Sequence, residues 1–199
     1  HHIISFAGFG INKAGTDSPS RIKDFFSTIR DSSTSLLGLL DDLLDLSKSE
    51  AGKMEYAITQ ANLAKIVKKS LDECRSSADG KGVILEFSET KVSMDLECDI
   101  QKVKQVVNNL LSNAIKFTPS GKKITINLGQ DMLELGRRKE DCISIPSVYI
   151  SIKDEGVGID EDELETVFEK FSQGMNTKNK FGGTGLGLAI ATDIIKAHK

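Results

Sequence analysis

At 199 residues the chain is long enough for one full domain plus a smaller element, and its 39% hydrophobic and 28% charged content is that of a folded globular protein rather than a disordered one. Lys plus Arg number 26 against 29 Asp plus Glu, and the resulting net charge of −3 leaves no basic footprint for nucleic acid or for an anionic membrane surface. No apolar run approaches the roughly 20 residues that span a bilayer, no signal peptide is visible, and Cys74, Cys98 and Cys142 match no disulfide framework or zinc spacing, so reduced thiols and a cytoplasmic location are expected.

The chain opens at His1 without a Met, which reads as a piece of a longer parent, one that could itself be membrane-anchored. Ile3, Ile4, Ala7 and Ile11 suggest the tail of a helix, weakened by Gly8 and Gly10, and Ala14–Ser18 reads as a hairpin turn. Ser18 followed by Pro19 starts a long helix: a capping hydroxyl, then Pro at the first helical position. Within it Ile22, Phe26, Ile29, Ser33, Leu36, Leu40 and Leu43 alternate steps of four and three, which is a heptad seam. Phe25, Ser32, Leu39 and Leu46, spaced by seven, widen it to a stripe suited to a four-helix bundle. Gly52 is the stop. One long helix and a stub cannot bury such a stripe, so residues 1–52 are expected to form a helical hairpin that pairs with a second copy of the chain.

Residues 53–199 mix strands and helices. Met54–Thr59, Val83–Phe87, Val92–Glu97, Lys123–Leu128 and Val148–Lys153 read as strands, and Asn62–Ser77, Ile100–Thr118, Glu161–Ser172 and Leu186–His198 as helices. The order, with antiparallel-looking neighbours separated by helices, predicts an α+β domain with a helix layer on one sheet face. The polar, unpatterned residues 130–146 read as an inserted surface loop.

Three stretches carry chemistry. On the helix over 100–118, at 100 degrees per residue, Lys102, Gln105, Asn109, Asn113 and Lys116 fall within about 40 degrees of one direction. Val103, Val106, Val107, Leu110, Leu111, Ala114 and Phe117 take the other side. Amide oxygens can ligate a hard cation and a nearby Lys can meet phosphate, although a merely solvated face uses the same residue types. Asp154-Glu155-Gly156-Val157-Gly158-Ile159 follows a strand: a carboxylate at a strand end can accept from an exocyclic amine, and the glycines let a ligand lie against the backbone. A simple turn has the same composition. Asp160 and Glu163 read as a capping box for a helix that buries Leu164, Val167, Phe168 and Phe171. Gly182-Gly183-Thr184-Gly185-Leu186-Gly187-Leu188 opens the last helix, where free N–H groups and the helix dipole favour an anion. The polar segment Gln173–Phe181 before it, with Lys178 and Lys180, reads as a lid or as an ordinary exposed loop.

Taken in order, these stretches resemble the GHKL ATPase superfamily, and closely its sensor histidine kinases. Asn109-Leu110-Leu111-Ser112-Asn113-Ala114 with Lys116-Phe117 is similar to the N box, Asp154 to Ile159 to the G1 box, Phe168-Glu169-Lys170-Phe171 to the F box, and Gly183 to Leu188 to the G2 box. Leu43 to Lys48 with Glu50 to Met54 is similar to the end of the second dimerisation helix.

The resemblance implies a two-layer sandwich of the GHKL (Bergerat) type over 53–199, with ATP and Mg²⁺ as cofactors. It implies Asn113 as metal ligand and Asn109 and Lys116 as catalytic and phosphate-side groups. Asp154 would bind the adenine amino group, Gly156 and Gly158 would let the adenine pocket form, Gly183, Gly185 and Gly187 would bring amides to the phosphates, and Lys178 and Lys180 would close over them. Phe117, Ile159, Phe171, Thr184 and Leu186 fall in the same boxes and are counted with the cofactor-binding residues. A homodimer and a response regulator or receiver domain are the implied partners. GHKL hydrolases generally carry Glu where Asn109 stands, and Asn cannot take a proton at neutral pH, which favours a kinase over a hydrolase; a non-catalytic ATP-binding module is the other alternative. The family's phospho-accepting histidine sits in a His-acidic string with a later Thr-Pro. No such string occurs here, so the acceptor is expected upstream of His1. His1 and His2 read as helix residues or a residual tag, and His198 as an ordinary helix-end residue.

Overall fold

The computed structural model describes residues 2–88, 92–135, 143–172 and 184–198. The chain divides into two compact units, His1–Met54 and Glu55–Lys199.

In the first unit α1 (His2–Lys13) and α2 (Pro19–Glu50) form a hairpin. Phe25 of α2 packs against Phe6 and Phe9 of α1, at ring-centroid distances of 6.0 and 6.2 Å. Phe25 thus turns inward, while the heptad seam beside it stays open: Phe26 is 62%, Leu36 58% and Leu40 53% exposed. Pro19 does occupy the first turn, but the Ser18 hydroxyl makes no cap bond and pairs instead with Ser20 Oγ at 3.0 Å. Ser18 caps through its carbonyl, which accepts from Ile22 N–H at 3.1 Å. The helix ends in a Schellman arrangement: Lys53 N–H donates to Lys48 O at 2.9 Å and Gly52 N–H to Ser49 O at 3.0 Å. Gly52, at φ 63°, supplies the left-handed residue this requires.

The second unit is α+β. β1 (Thr59–Asn62) pairs antiparallel with β3 (Asp95–Cys98). A separate mixed sheet runs β2-β4-β5, with β2 (Ile84–Ser88) parallel to β4 (Lys123–Leu135) and β4 antiparallel to β5 (Ile143–Asp154). The parallel β2–β4 pair corrects the antiparallel expectation: α4 (Ile100–Phe117) intervenes and returns the chain to the same end of the sheet. α3 (Leu63–Lys81) and α4 supply the helix layer. Val67 and Leu71 of α3, Val107 and Leu111 of α4, and Ile124 and Ile126 of β4 form the core, sealed by Met94. α5 (Gly187–Ala197) packs on α4.

Further expectations are corrected. Met54–Thr59 is not a strand: β1 begins only at Thr59, and Asn62 serves as N-cap of α3, its Oδ1 accepting from Lys65 N–H at 3.3 Å. Within 130–146 the described residues are paired, not looped: β4 and β5 continue as a two-stranded ribbon with Met132 opposite Pro146 and Leu133 opposite Ile145. Pro146 is tolerated because β5 is an edge strand and needs no N–H on that side. The helix expected over 161–172 is instead two 3₁₀ turns, Glu161–Glu163 and Thr166–Phe168. Of its intended buried stripe only Val167 is half-buried, with Leu164 51%, Phe168 54% and Phe171 63% exposed. Glu163 N–H meets the Asp160 carbonyl at 2.9 Å, so that cap is also made by backbone and not by the Asp160 side chain.

Candidate functional site

α4 is the axis of the candidate site. Asp99 caps its N-terminus: Oδ1 accepts from Gln101 and Lys102 N–H at 3.0 Å each, and Oδ2 from Ala57 N–H at 2.9 Å. Burial alone would push this carboxyl up. The N–H donors of Lys102, Ala57 and Gln101 outweigh burial and hold it below the ordinary carboxylate range. Asp99 N–H in turn donates to His198 Nε2 at 3.0 Å, while His198 Nδ1 meets Ile194 O at 2.8 Å, which fixes the Nδ1–H tautomer. The Tyr56 ring stands edge-on to His198 at 5.2 Å. His198 is therefore a strut joining α5 to the start of α4 and not an ordinary helix-end residue.

Along α4 Val103, Val106, Val107, Leu111 and Ala114 are buried as the 100-degree spacing requires, while Leu110 and Phe117, like Asn109, Asn113 and Lys116, lie half-buried. Asn109 Nδ2 donates to Gly187 O at 3.2 Å, which ties the middle of α4 to the first residue of α5. Lys116 Nζ lies 4.9 Å from the centroid of the Phe117 ring. Burial pulls the Lys116 ammonium below its ordinary pKa, so an arriving anion would favour its charged form.

At the other end of the helix, Asp154 Oδ1 accepts from Gly156 N–H at 2.9 Å and folds the strand end over. Gly156 then sits directly on the α4 terminus: a Cβ there would lie 2.5 Å from Asp154 Oδ1 and 2.9 Å from the Phe117 carbonyl oxygen. Gly158 follows at φ 77°, and Ile159 is exposed. Phe171 N–H donates to Gly185 O at 3.0 Å, with Phe171 at φ 62° and Gly185 at φ 67°. A Cβ on Gly185 would lie 2.6 Å from Ser172 O, so only glycine fits. Thr184 Oγ1 accepts from Leu186 N–H at 3.0 Å, and Leu186 is buried.

The fold thus joins Asn109 to Gly187, Phe117 to Gly156 and Asp154, and Phe171 to Gly185, pairs between 30 and 80 residues apart for the first two. Lys178, Lys180, Gly183 and the segment expected to act as a lid lie outside the described residues. Among the described residues no group of three or more His, Cys, Asp and Glu side chains could hold a metal, and no helix is long and apolar enough to cross a membrane.

Residues 98–199 match the family model of the histidine kinase-, DNA gyrase B- and HSP90-like ATPases. The chain belongs to this ATPase family, and its second unit has the family's α+β fold. Within the family its relatives include sensor histidine kinases. The sensor histidine kinase GacS of Pseudomonas protegens is 37% identical over 87% of this chain, and the sensor histidine kinase WalK of Bacillus subtilis 31% identical over 87%. The chain spans 18% and 27% of the lengths of these two curated relatives. Among solved structures, histidine kinase ThkA in complex with response regulator protein TrrA shares the fold with a TM-score of 0.66 at 22% identity, covering 100% of this chain and 51% of that one.

Proposed function

We propose that this chain binds ATP with Mg²⁺ and is the catalytic part of a kinase that passes the γ-phosphoryl group to a histidine, from which an aspartate of a response regulator or receiver domain takes it. The observation that supports this best is that α4 is met at two points by the two glycine-bearing stretches, Gly156 on the Phe117 carbonyl and Gly187 bonded to Asn109. Adenine and phosphate recognition can then share one helix.

The donor set fits Mg²⁺. That ion is usually held by one or two protein oxygens together with substrate phosphates, and here Asn113 offers an amide oxygen one turn from Asn109. The ion supplies charge neutralisation on the phosphate oxygens when bound. Asp154 keeps one oxygen on Gly156 N–H, and a carboxylate has acceptor sites beyond that bond for the adenine amino group. Lys116 brings a half-buried ammonium to the phosphate side. Gly183, Thr184, Gly185 and Leu186 lead into α5, whose N-terminal N–H groups and dipole favour the phosphates, with Lys178 and Lys180 contributing from the lid. Phe117, Ile159, Phe171 and Gly158 complete the base side. Asn109 has its amide nitrogen on Gly187 O and carries no basic group, so it cannot activate water, and the phosphoryl group is kept for a histidine nucleophile.

The exposed row Phe26, Leu36, Leu40 and Leu43 supports pairing of the helical hairpin with a second copy.

Titration with a non-hydrolysable ATP analogue, with and without Mg²⁺, tests the site. Asn113→Ala should abolish the Mg²⁺-dependent gain, and Asp154→Asn should erase the preference for ATP over GTP. Retention of both properties in the variants, or rapid steady-state ATP turnover by the wild type, would count against the assignment.

A further inference from the structure

We infer that Lys81 is a positioning residue for nucleotide binding, holding the last turn of α4 against the Asp154–Gly158 turn. The inference rests on the reading of α4 as the nucleotide-binding helix.

An α-helix ends with four carbonyls that lack intrahelical partners, and a buried terminus must satisfy them in other ways. For α4, whose last i→i−4 bond runs from Thr118 N–H to Ala114 O, these belong to Ile115, Lys116, Phe117 and Thr118. Ala114 O accepts from Thr118 N–H at 3.0 Å and from Thr118 Oγ1 at 2.7 Å. Lys81 Nζ donates to Ile115 O at 2.8 Å and to Lys116 O at 2.5 Å. The Phe117 carbonyl is the one that faces Gly156. One ammonium from another helix therefore fixes two carbonyls, and the next one forms the wall on which the Asp154–Gly158 turn rests. A cation at a helix C-terminus also interacts favourably with the dipole.

Lys81 is itself firmly based. It is the last residue of α3, and Gly82 closes that helix at φ 72° with Gly82 N–H on Asp79 O at 3.0 Å and Val83 N–H on Ala78 O at 2.9 Å. Gly121 N–H, in the turn that follows α4, donates to Gly82 O at 2.7 Å. The end of α3, the end of α4 and the turn leaving it are thus one hydrogen-bonded block. Lys116 and Phe117 belong to that block through their own backbone, and the Phe117 carbonyl lies where a side chain on Gly156 would have to go. Release of Lys81 frees the carbonyl end of α4 to unwind, which moves the Lys116 side chain and the support of Asp154 together.

The test compares Lys81→Met and Lys81→Arg with wild type in Mg²⁺–ATP-analogue titrations, well below the melting midpoint of each. Lys81→Met should bind about tenfold more weakly, the size expected for losing charge-assisted hydrogen bonds. Lys81→Arg, which keeps the charge and the donors, should recover most of that loss. Wild-type affinity in Lys81→Met, with only its melting midpoint lowered, would overturn the inference and leave the ATP reading standing. Equal weakness of the Arg and Met variants would overturn it too. Absence of binding in the wild type would sink both readings. Should Lys81→Met fail to fold, Lys81→Gln takes its place: a several-fold loss supports the inference, and unchanged affinity refutes it.

Discussion

The two units of this chain treat their apolar side chains in opposite ways. In Glu55–Lys199, two helices lie on a mixed sheet, and Val67, Val107, Leu111, Ile124 and Ile126 are almost wholly withdrawn from solvent. In His1–Met54 the two helices bury little: Phe25 finds α1, but the seam residues Phe26, Leu36, Leu40 and Leu43 remain open. The lesson is geometric. A helix layer on a sheet can close a core from one chain, whereas two helices leave a broad stripe facing outward and call for more helices to cover it.

That contrast can be broken from either side. The largest effect is expected from a charge in the seam: Leu36→Asp with Leu40→Asp should weaken the proposed dimer at least about a hundredfold, because unpaired charges would be buried twice. Sedimentation equilibrium reads this, and nucleotide affinity should stay as in wild type; an unchanged dimer would remove the seam as the interface. Next comes Gly156→Ala. Its Cβ would press on the Phe117 carbonyl and Asp154 Oδ1, and overpacking of about 1–3 kcal/mol predicts a loss of nucleotide affinity of about fivefold to about 150-fold. Isothermal titration measures it, with Gly80→Ala, which meets nothing within 4 Å, as the comparison.

The smallest effect is on stability. Asp99→Ala should cost the catalytic unit about 1–2 kcal/mol at neutral pH, by urea unfolding. Because the folded Asp99 pKa is depressed, its contribution is full above the unfolded carboxylate value of about 4 and is lost as pH falls through the lower folded value. The gap between wild type and variant should therefore narrow at pH about 3. A gap that persists there would argue that Asp99 acts by packing and not by charge.

Particular residues show how much of this was legible beforehand. The stripe of α4 is written in its spacing, so its buried side and its Asn109–Asn113–Lys116 face follow from 100 degrees per residue. Asp99, standing one residue before Ile100, has the residue type and position of a helix cap. Lys81 was not readable, because its partners are 34 and 35 residues away and a lysine in a last helical turn has no local signature. Residues 161–172 failed for the converse reason. Leu164, Val167, Phe168 and Phe171 have helical spacing, but only Val167 is half-buried while the other three stay exposed, and spacing without a surface to bury against does not hold a helix. The ribbon of β4 and β5 was hidden because Pro146 and the polar Asp131 and Glu134 resemble loop residues, and only cross-strand pairing satisfies their backbone.

The sequence by itself determined the division into a heptad hairpin and an α+β unit, the α4 face and the ordered glycine stretches, since periodicity and backbone freedom are local properties of residue type. Tertiary structure alone decided that Gly156 rests on the Phe117 carbonyl, that Gly187 meets Asn109 and that Lys81 closes the end of α4. Contacts between distant residues depend on how helices and sheet pack, and no short window of sequence carries that information.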